Sequence, residues 1–390
     1  MFALGARHYY RGEFEQAQQV YTRPFYDRNW ISVMRKAYTM PLTGRSDEAR
    51  AAVQQLLTLY PGFTIERGLQ FYRGHCFKDT YLINMQTALL QAGLPSQLGP
   101  QLLDKIQVPP VRVQRVNGYP LEYRDIGSGE PIVFVHGALS DFRVFADVEL
   151  PITARHRCIA YSQRCFGSQP DTCSAPPASF QVPVDDLVAF IESLNPGPVH
   201  LVTYSMGFKI AAAAAATRPE LIKSMVHFEP VAEALAAEQL NTATSAARDQ
   251  ITKGIESVFA AQQAGDSYTA TARLLETVFD QEQGGFERER TVTRRMFTDN
   301  VGPTLALLPD VMPALMLNCE YMKAVRAPTL VVLGDRTNAW FTHLAHRTVE
   351  CTHGAHLVML PGVWHDGPLR KPAEFSKMIL DFVDAQKNGQ

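Results

Sequence analysis

Short unbroken apolar runs recur through the last two thirds of the chain, each ending on a polar or small residue. Pro131-Ile132-Val133-Phe134-Val135 runs into His136-Gly137, Leu201-Val202-Thr203-Tyr204 into Ser205-Met206-Gly207, and Thr329-Leu330-Val331-Val332-Leu333 into Gly334-Asp335. Val226-His227-Phe228 ends in Glu229-Pro230, and His356 to Leu360 ends in Pro361-Gly362. Runs this short, apolar at nearly every position and rich in β-branched residues, predict strands, with those at 131–135 and 201–204 buried. Helical patterns lie between them. Phe208-Lys209-Ile210 and the tract Ala211 to Ala216 predict a helix with a small, close-packing face. A last amphipathic helix opens at Lys371-Pro372 and presents Phe375, Ile379, Leu380 and Phe382. Between Val231 and Arg326 the strands stop, and helices are predicted over 232–238, 244–261, 268–279, 286–297 and 310–324.

The ends of the apolar runs carry the candidate chemistry. Thr203-Tyr204-Ser205-Met206-Gly207 has the form small-x-Ser-x-small, in which a strand turns sharply into a helix and lifts the serine hydroxyl at the apex. The glycine of His136-Gly137 lets the chain turn so that the N–H of Ala138 or Leu139, paired with that of Met206, can face a developing oxyanion. His136 itself is expected to fix the loop. Asp335 follows one later strand, and His365 follows the final one in Val363-Trp364-His365. A serine hydroxyl becomes a useful nucleophile only when an imidazole takes its proton and a carboxylate orients that imidazole. Ser205, Asp335 and His365 supply the three types in the order Ser…Asp…His. Among the other histidines of this region, His343 and His346 fall in an expected surface helix, and His353 and His356 precede the last strand. Glu229, at the end of an earlier strand, is the alternative acid.

These features in this order resemble the α/β-hydrolase superfamily, and the stretch from His136 to Arg143 is similar to its bacterial esterase-like members. Val111 to Val116 and Leu121 to Ile126 fit its opening hairpin, and Cys158 to Ser168 its strand followed by an Arg-Gly-x-Gly loop. His365, with Pro372 and Glu374-Phe375 beyond it, is similar to its C-terminal signature. The resemblance implies an α/β fold with an eight-stranded, mostly parallel sheet, a helical cap over about 231–325, a triad at the carboxyl edge and no cofactor. It implies a serine hydrolase acting on a carboxylic ester or thioester of a small to medium apolar acyl group. A carbon–carbon bond hydrolase or perhydrolase uses the same triad, and a non-catalytic ligand-binding or signalling module on this fold is the competing class. Two departures motivate that last reading: Thr203 and Phe208 stand where the family has glycines. In the cap, Glu287-Arg288-Glu289-Arg290 is expected to be a solvated face with Glu287 and Arg290 paired. Met296, Phe297, Leu305, Leu307, Leu308, Met312, Leu315, Met316 and Met322 suit either core or an acyl chain.

The first part of the chain differs in kind. Gly5 and Ala37, Gly12 and Gly44, and Ala17 and Ala49 are each 32 residues apart, close to the tetratricopeptide period of about 34. Residues 1–95 therefore resemble tetratricopeptide repeats and the tail that follows them in bacterial cyclase-type signalling proteins. A protein partner or self-association through 1–95 is the associated expectation. Pro- and Gly-rich residues 96–110 read as a linker to the hydrolase-like 111–390. With 390 residues, 46% hydrophobic and 19% charged, the chain has enough apolar material for more than one domain. A net charge of −2 argues against nucleic acid as a partner. No apolar stretch reaches membrane-spanning length. Six cysteines at irregular spacing predict reduced thiols and a cytoplasmic location.

Overall fold

The computed structural model describes residues 8–9, 13–21, 30–73, 79–95, 111–167, 177, 179–236, 240–311 and 317–386. The chain divides into two units, Met1–Pro109 and Pro110–Gln390. The expected linker 96–110 lies outside the described residues, as do Gly5, Gly12, Ser168 and residues 312–316.

The first unit is helical where it is described. Helices α1 (Phe14–Tyr21), α2 (Trp30–Thr39), α3 (Ser46–Leu59), α4 (Ile65–Arg73) and α5 (Asp79–Gln91) follow one another. Ala17, Ala37 and Ala49, three of the residues in the 32-residue pattern, are fully buried in one cluster with Val33, Val53, Leu56 and Tyr38. Gly44 takes a left-handed φ of 74° and closes the turn between α2 and α3, where a side chain would strain the backbone.

The second unit is an eight-stranded sheet of order β1-β2-β4-β3-β5-β6-β7-β8. Its strands are β1 (Arg112–Val116), β2 (Tyr119–Ile126), β3 (Pro131–Val135), β4 (Arg157–Tyr161), β5 (Val199–Tyr204), β6 (Ile222–Phe228), β7 (Thr329–Gly334) and β8 (His356–Leu360). The pairs β1/β2 and β2/β4 are antiparallel and the other five are parallel. Every residue of β3, β5 and β7 is buried, which explains their unbroken apolar sequence. Successive side chains serve opposite faces. Ile132 and Phe134 pack with α6 (Ala146–Ile152) and the terminal helix α16 (Pro372–Ala385). Val133 and Val135 pack with α7 (Gln181–Leu194) and α8 (Gly207–Thr217). The alanine tract Ala211–Ala215 is entirely buried there, so the absence of bulk lets α8 lie close to the sheet. Helix α15 (Ala339–Cys351) adds Ala345 against Val331 and Leu333.

Between β6 and β7 come α9 (Thr242–Gln263), α10 (Ser267–Val278), α11 (Gly285–Arg288), α12 (Thr291–Asp299), α13 (Val301–Val311) and α14 (Cys319–Met322). Side-chain caps from Asn241, Asp266 and Asn318 start α9, α10 and α14. Three expectations are corrected here. The helix expected over 286–297 is broken at Glu289, whose extended backbone turns its buried carboxylate onto Arg370. The Glu287–Arg290 pair does not form: Glu287 accepts from the Tyr268 hydroxyl, and Arg290 lies 3.4 Å from Asp147. Of the helix expected over 310–324, residues 310–311 close α13, 319–322 form α14 and 312–316 lie outside the described residues; α13 begins well before the expected start because Pro303 falls in a first turn where no N–H is needed.

The cysteines also differ from expectation. Cys319 is paired with Cys351, their Cα atoms 4.8 Å apart, well inside the range a disulfide bridges. Cys165 is disulfide-bonded as well, whereas Cys158 is a buried free thiol. Irregular spacing along the chain misled because pairing is decided by distance in the fold, and β7 and α15 intervene between the paired residues. No helix among the described residues is long and apolar enough to cross a membrane.

Candidate active site

Strand β5 delivers Ser205 to its place. The residue takes φ 54°, a left-handed conformation costly for any side chain, and the surroundings hold it there. Its N–H donates to Phe228 O at 3.0 Å, and its own carbonyl accepts from Phe208 and Val231. A β-carbon at Gly207 would strike the carbonyls of Val135 and His136, so this position must be glycine for α8 to begin directly behind the serine. The two departures from glycine are explained by one partner. The Thr203 hydroxyl shares a 2.7 Å hydrogen bond with His227 Nδ1, and the Phe208 ring meets the same imidazole edge-on at 4.8 Å. Burial pushes His227 down to about 3, so it stays neutral and packs as a flat apolar ring with one polar edge. The threonine and the phenylalanine are thus fitted to β6, and the turn keeps its shape.

His365 and Ser205 meet. His365 Nε2 lies 2.9 Å from Ser205 Oγ, and His365 Nδ1 lies 2.7 Å from Glu229 Oε2. Glu229 is fully buried and His365 nearly so. With Nδ1–H donating to the carboxylate, Nε2 is left to accept the serine proton. Glu229 receives two further donors, the Gly334 N–H at Oε1 and the Thr337 hydroxyl at Oε2, both at 2.9 Å.

Asp335, the acid expected from sequence, does not reach the imidazole. Its side chain is exposed, and its Oδ1 accepts from the Gly362 N–H at 2.5 Å, tying the β7 loop to the turn after β8. The room beside Gly334 at the end of β7 is taken up by Glu229. At Gly334 a β-carbon would lie 2.9 Å from Glu229 Oε1 and 2.5 Å from the Val363 carbonyl. The loop after β7 therefore keeps a supporting place, holding a carboxylate that comes from β6.

Three residues at this site escaped the sequence reading: Tyr204, Thr337 and Phe341. The Phe341 ring stacks on the His365 imidazole with centroids 4.1 Å apart and planes 9° from parallel. The Tyr204 hydroxyl donates to the His365 carbonyl at 2.7 Å; burial raises its pKa, so it remains a donor. The only available signal was position. Tyr204 immediately precedes the serine, while Thr337 and Phe341 lie in the first residues after the Gly-Asp turn.

Of the two candidate donors after β3, Leu139 is committed elsewhere. Its N–H donates to Thr304 Oγ1 at 2.8 Å, so it is not turned to a substrate. The N–H groups of Ala138 and Met206 make no hydrogen bond among the described residues, and Met206 is the N-cap residue of α8, where unsatisfied N–H groups favour negative charge. His136 does fix the loop. It accepts the Gln163 N–H at Nε2, which leaves Nδ1–H to donate to Gly137 O at 2.9 Å, and burial lowers its pKa to about 4.

This arrangement can be set against known proteins. Residues 132–378, well over half the chain, match the alpha/beta hydrolase family. The chain belongs to that family. Among the relatives of this alpha/beta hydrolase is a 2-(acetamidomethylene)succinate hydrolase of Mesorhizobium japonicum, 26% identical over 68% of this chain and 92% of that protein. Another is a Mycobacterium tuberculosis protein provisionally named a non-heme bromoperoxidase, BpoC, 32% identical over 68% of this chain and 98% of its own length. The solved enol-lactonase of Burkholderia xenovorans LB400 covers 70% of this chain and all of its own, at 18% identity and a TM-score of 0.56, a likeness of fold.

Seen as an alpha/beta hydrolase cap, the insertion between β6 and β7 brings apolar residues beside the site. Met296, Phe297, Leu305 and Leu308 share one buried cluster with Leu139, Met206 and Phe279. The Phe279 ring lies 6.3 Å from the imidazole of His365. Leu307 and Met322 belong to the cluster on the other face, and Met312, Leu315 and Met316 lie outside the described residues.

Proposed function

We propose that the protein is a serine hydrolase that cleaves a carboxylic ester or thioester of a small to medium, apolar acyl group through an acyl-enzyme. The observation that carries this reading is the unbroken hydrogen-bonded chain from Ser205 Oγ through His365 to Glu229. Ser205 Oγ attacks the acyl carbonyl while His365 Nε2 takes its proton, and Glu229 stabilises the imidazolium. The tetrahedral oxyanion is held by the N–H groups of Ala138 and Met206. His365 then gives its proton to the departing alcohol or thiol as the C–O or C–S bond breaks. Water repeats the sequence: its proton passes to His365, its oxygen joins the acyl carbon, and Ser205 leaves reprotonated with release of the acid. The apolar side chains of Phe279, Met206 and Leu139 around the triad support an uncharged acyl group.

Labelling with a fluorophosphonate tests the reading. The expected outcome is one phosphonate on Ser205, lost in Ser205→Ala, with turnover of p-nitrophenyl esters that changes with chain length. Well-folded protein that neither labels nor turns over would favour the ligand-binding module instead. A second reading is supported by the relative named a bromoperoxidase: hydrogen peroxide in place of water would release a peracid. Peroxide-dependent bromination of a dione probe, abolished in Ser205→Ala, would distinguish it.

Residues 1–95 are read as tetratricopeptide-like, a site for a protein partner or for self-association. Burial of the offset alanines in one helical cluster supports this.

A further inference from the structure

The loop after β3 contributes one oxyanion donor, Ala138, and its shape is set from the cap. Leu139 takes φ 58°, a conformation that persists in a non-glycine residue only where neighbours over-determine it. One neighbour is the fully buried Thr304 on α13. Its hydroxyl donates to the Asn300 carbonyl at 2.7 Å while its oxygen accepts the Leu139 N–H at 2.8 Å, so the side chain has both capacities engaged. The fully buried Asn300 is a second neighbour. Its Nδ2 donates to Asp141 Oδ2 and to the Met296 carbonyl, both at 2.7 Å, and its Oδ1 accepts the Gly167 N–H at 2.9 Å. Arg143 closes the set, donating to Asp141 and to Asp299. Burial would raise the Asp141 carboxyl, but the Arg143 guanidinium and the donors around it outweigh burial and hold it below its ordinary value. Leu139, Asp141 and Arg143 of one loop are therefore fastened to α12, α13 and the residue between them.

We propose that Thr304, supported by Asn300, is a positioning residue for the oxyanion hole. By taking the Leu139 N–H it fixes the peptide that follows Ala138, which leaves the Ala138 N–H facing the same point as that of Met206. The cap thereby sets the geometry of transition-state binding as well as walling the site. A bond that only fastened the cap could be made anywhere along the interface. This one is made by the backbone donor next to the one the chemistry uses. The inference rests on the acyl-transfer reading above, and wild-type turnover separates the two. Absence of esterase turnover and of labelling would remove both; turnover unaffected by Thr304 would remove this one alone.

The test is steady-state hydrolysis of p-nitrophenyl butyrate by the full chain, with a trifluoromethyl ketone as the probe of oxyanion binding. Removing an oxyanion donor costs on the order of 10²–10³ in kcat; misplacing one should cost less. Thr304→Val, equal in shape but without the acceptor, is expected to lower kcat about ten- to a hundredfold and to weaken the ketone in parallel. KM and the pH profile should be nearly unchanged, because the triad is untouched. Thr304→Ser should recover most of the loss. If the valine variant does not fold, Thr304→Ala against Thr304→Ser makes the same comparison, since both remove the methyl group and only the serine keeps the oxygen. A valine or alanine variant with wild-type kcat, or a serine variant as impaired as alanine, overturns the proposal.

Discussion

Glu229 sits at φ 42°, one residue beyond β6, and that turn aims its carboxylate along the sheet edge toward the imidazole. A carboxylate with two fixed donors besides the histidine cannot swing away, so it selects the tautomer with the proton on Nδ1. Asp335 holds only a surface turn. The two acids should therefore separate cleanly on substitution. Glu229→Gln is expected to lower kcat on the order of 10³–10⁴, the scale of an amide that offers the imidazole the wrong tautomer, with little loss of melting temperature. Asp335→Asn should stay within about threefold of wild type. Steady-state kinetics on any p-nitrophenyl ester that turns over decides it, and the reverse order would return the acid to β7.

At the scale of elements, the strands were largely legible because a strand buried on both faces writes its whole length in apolar residues. Pro131–Val135 and Thr329–Gly334 are read from sequence with their ends nearly right; His356–Leu360 is also read as a strand, but at the sheet edge it buries only Leu360 and leaves Met359 exposed. Cap helices were less legible. A helix that packs among others needs no unbroken pattern, and Pro303 at the start of α13 looks like an interruption. The site was legible as far as residue types at strand ends allow, which is Ser205, His365 and the pair of candidate acids. Choosing between Glu229 and Asp335 required knowing that Gly334 and Thr337 turn their donors inward. Phe341 required knowing the direction of α15.

The other end of that helix carries Cys351, joined to Cys319 on α14. Closing a loop with a sequence separation of 32 stabilises by roughly 3–4 kcal/mol in the chain-entropy account. Cys351→Ser is expected to lower the melting temperature of the hydrolase unit by several degrees. Calorimetry of the variant beside the wild type measures it, and an unchanged midpoint would count against the bond.

For the whole molecule, the buried neutral histidines tie stability to pH. His136 and His227 are held down by burial to about 4 and about 3, against an ordinary value of 6.5. In the unfolded chain both take protons as the pH drops through 6.5, while in the fold they do not until the lower values are reached. Over that interval the unfolded state binds more protons, so stability falls as the pH falls. Each unit of difference corresponds to about 1.4 kcal/mol. Glu149, raised by burial, acts with the opposite sign and offsets part of the slope. Denaturant unfolding at pH 7.5 and pH 5 should show the loss, and His227→Gln should flatten it. A variant with the wild-type slope would show that His227 contributes nothing to it.

The order of the proposed catalytic residues along the gene bears on how this alpha/beta hydrolase can be rebuilt. Ser205 and Glu229 are both encoded before the cap, and His365 after it, so a foreign cap could be spliced in without touching any of the three. Yet a graft that discarded Asn300 and Thr304 would also discard the partners of Asp141 and Leu139. Recombinants chosen to alter selectivity should then be slow as well, and restoring those two side chains in the donor segment is the first repair to try.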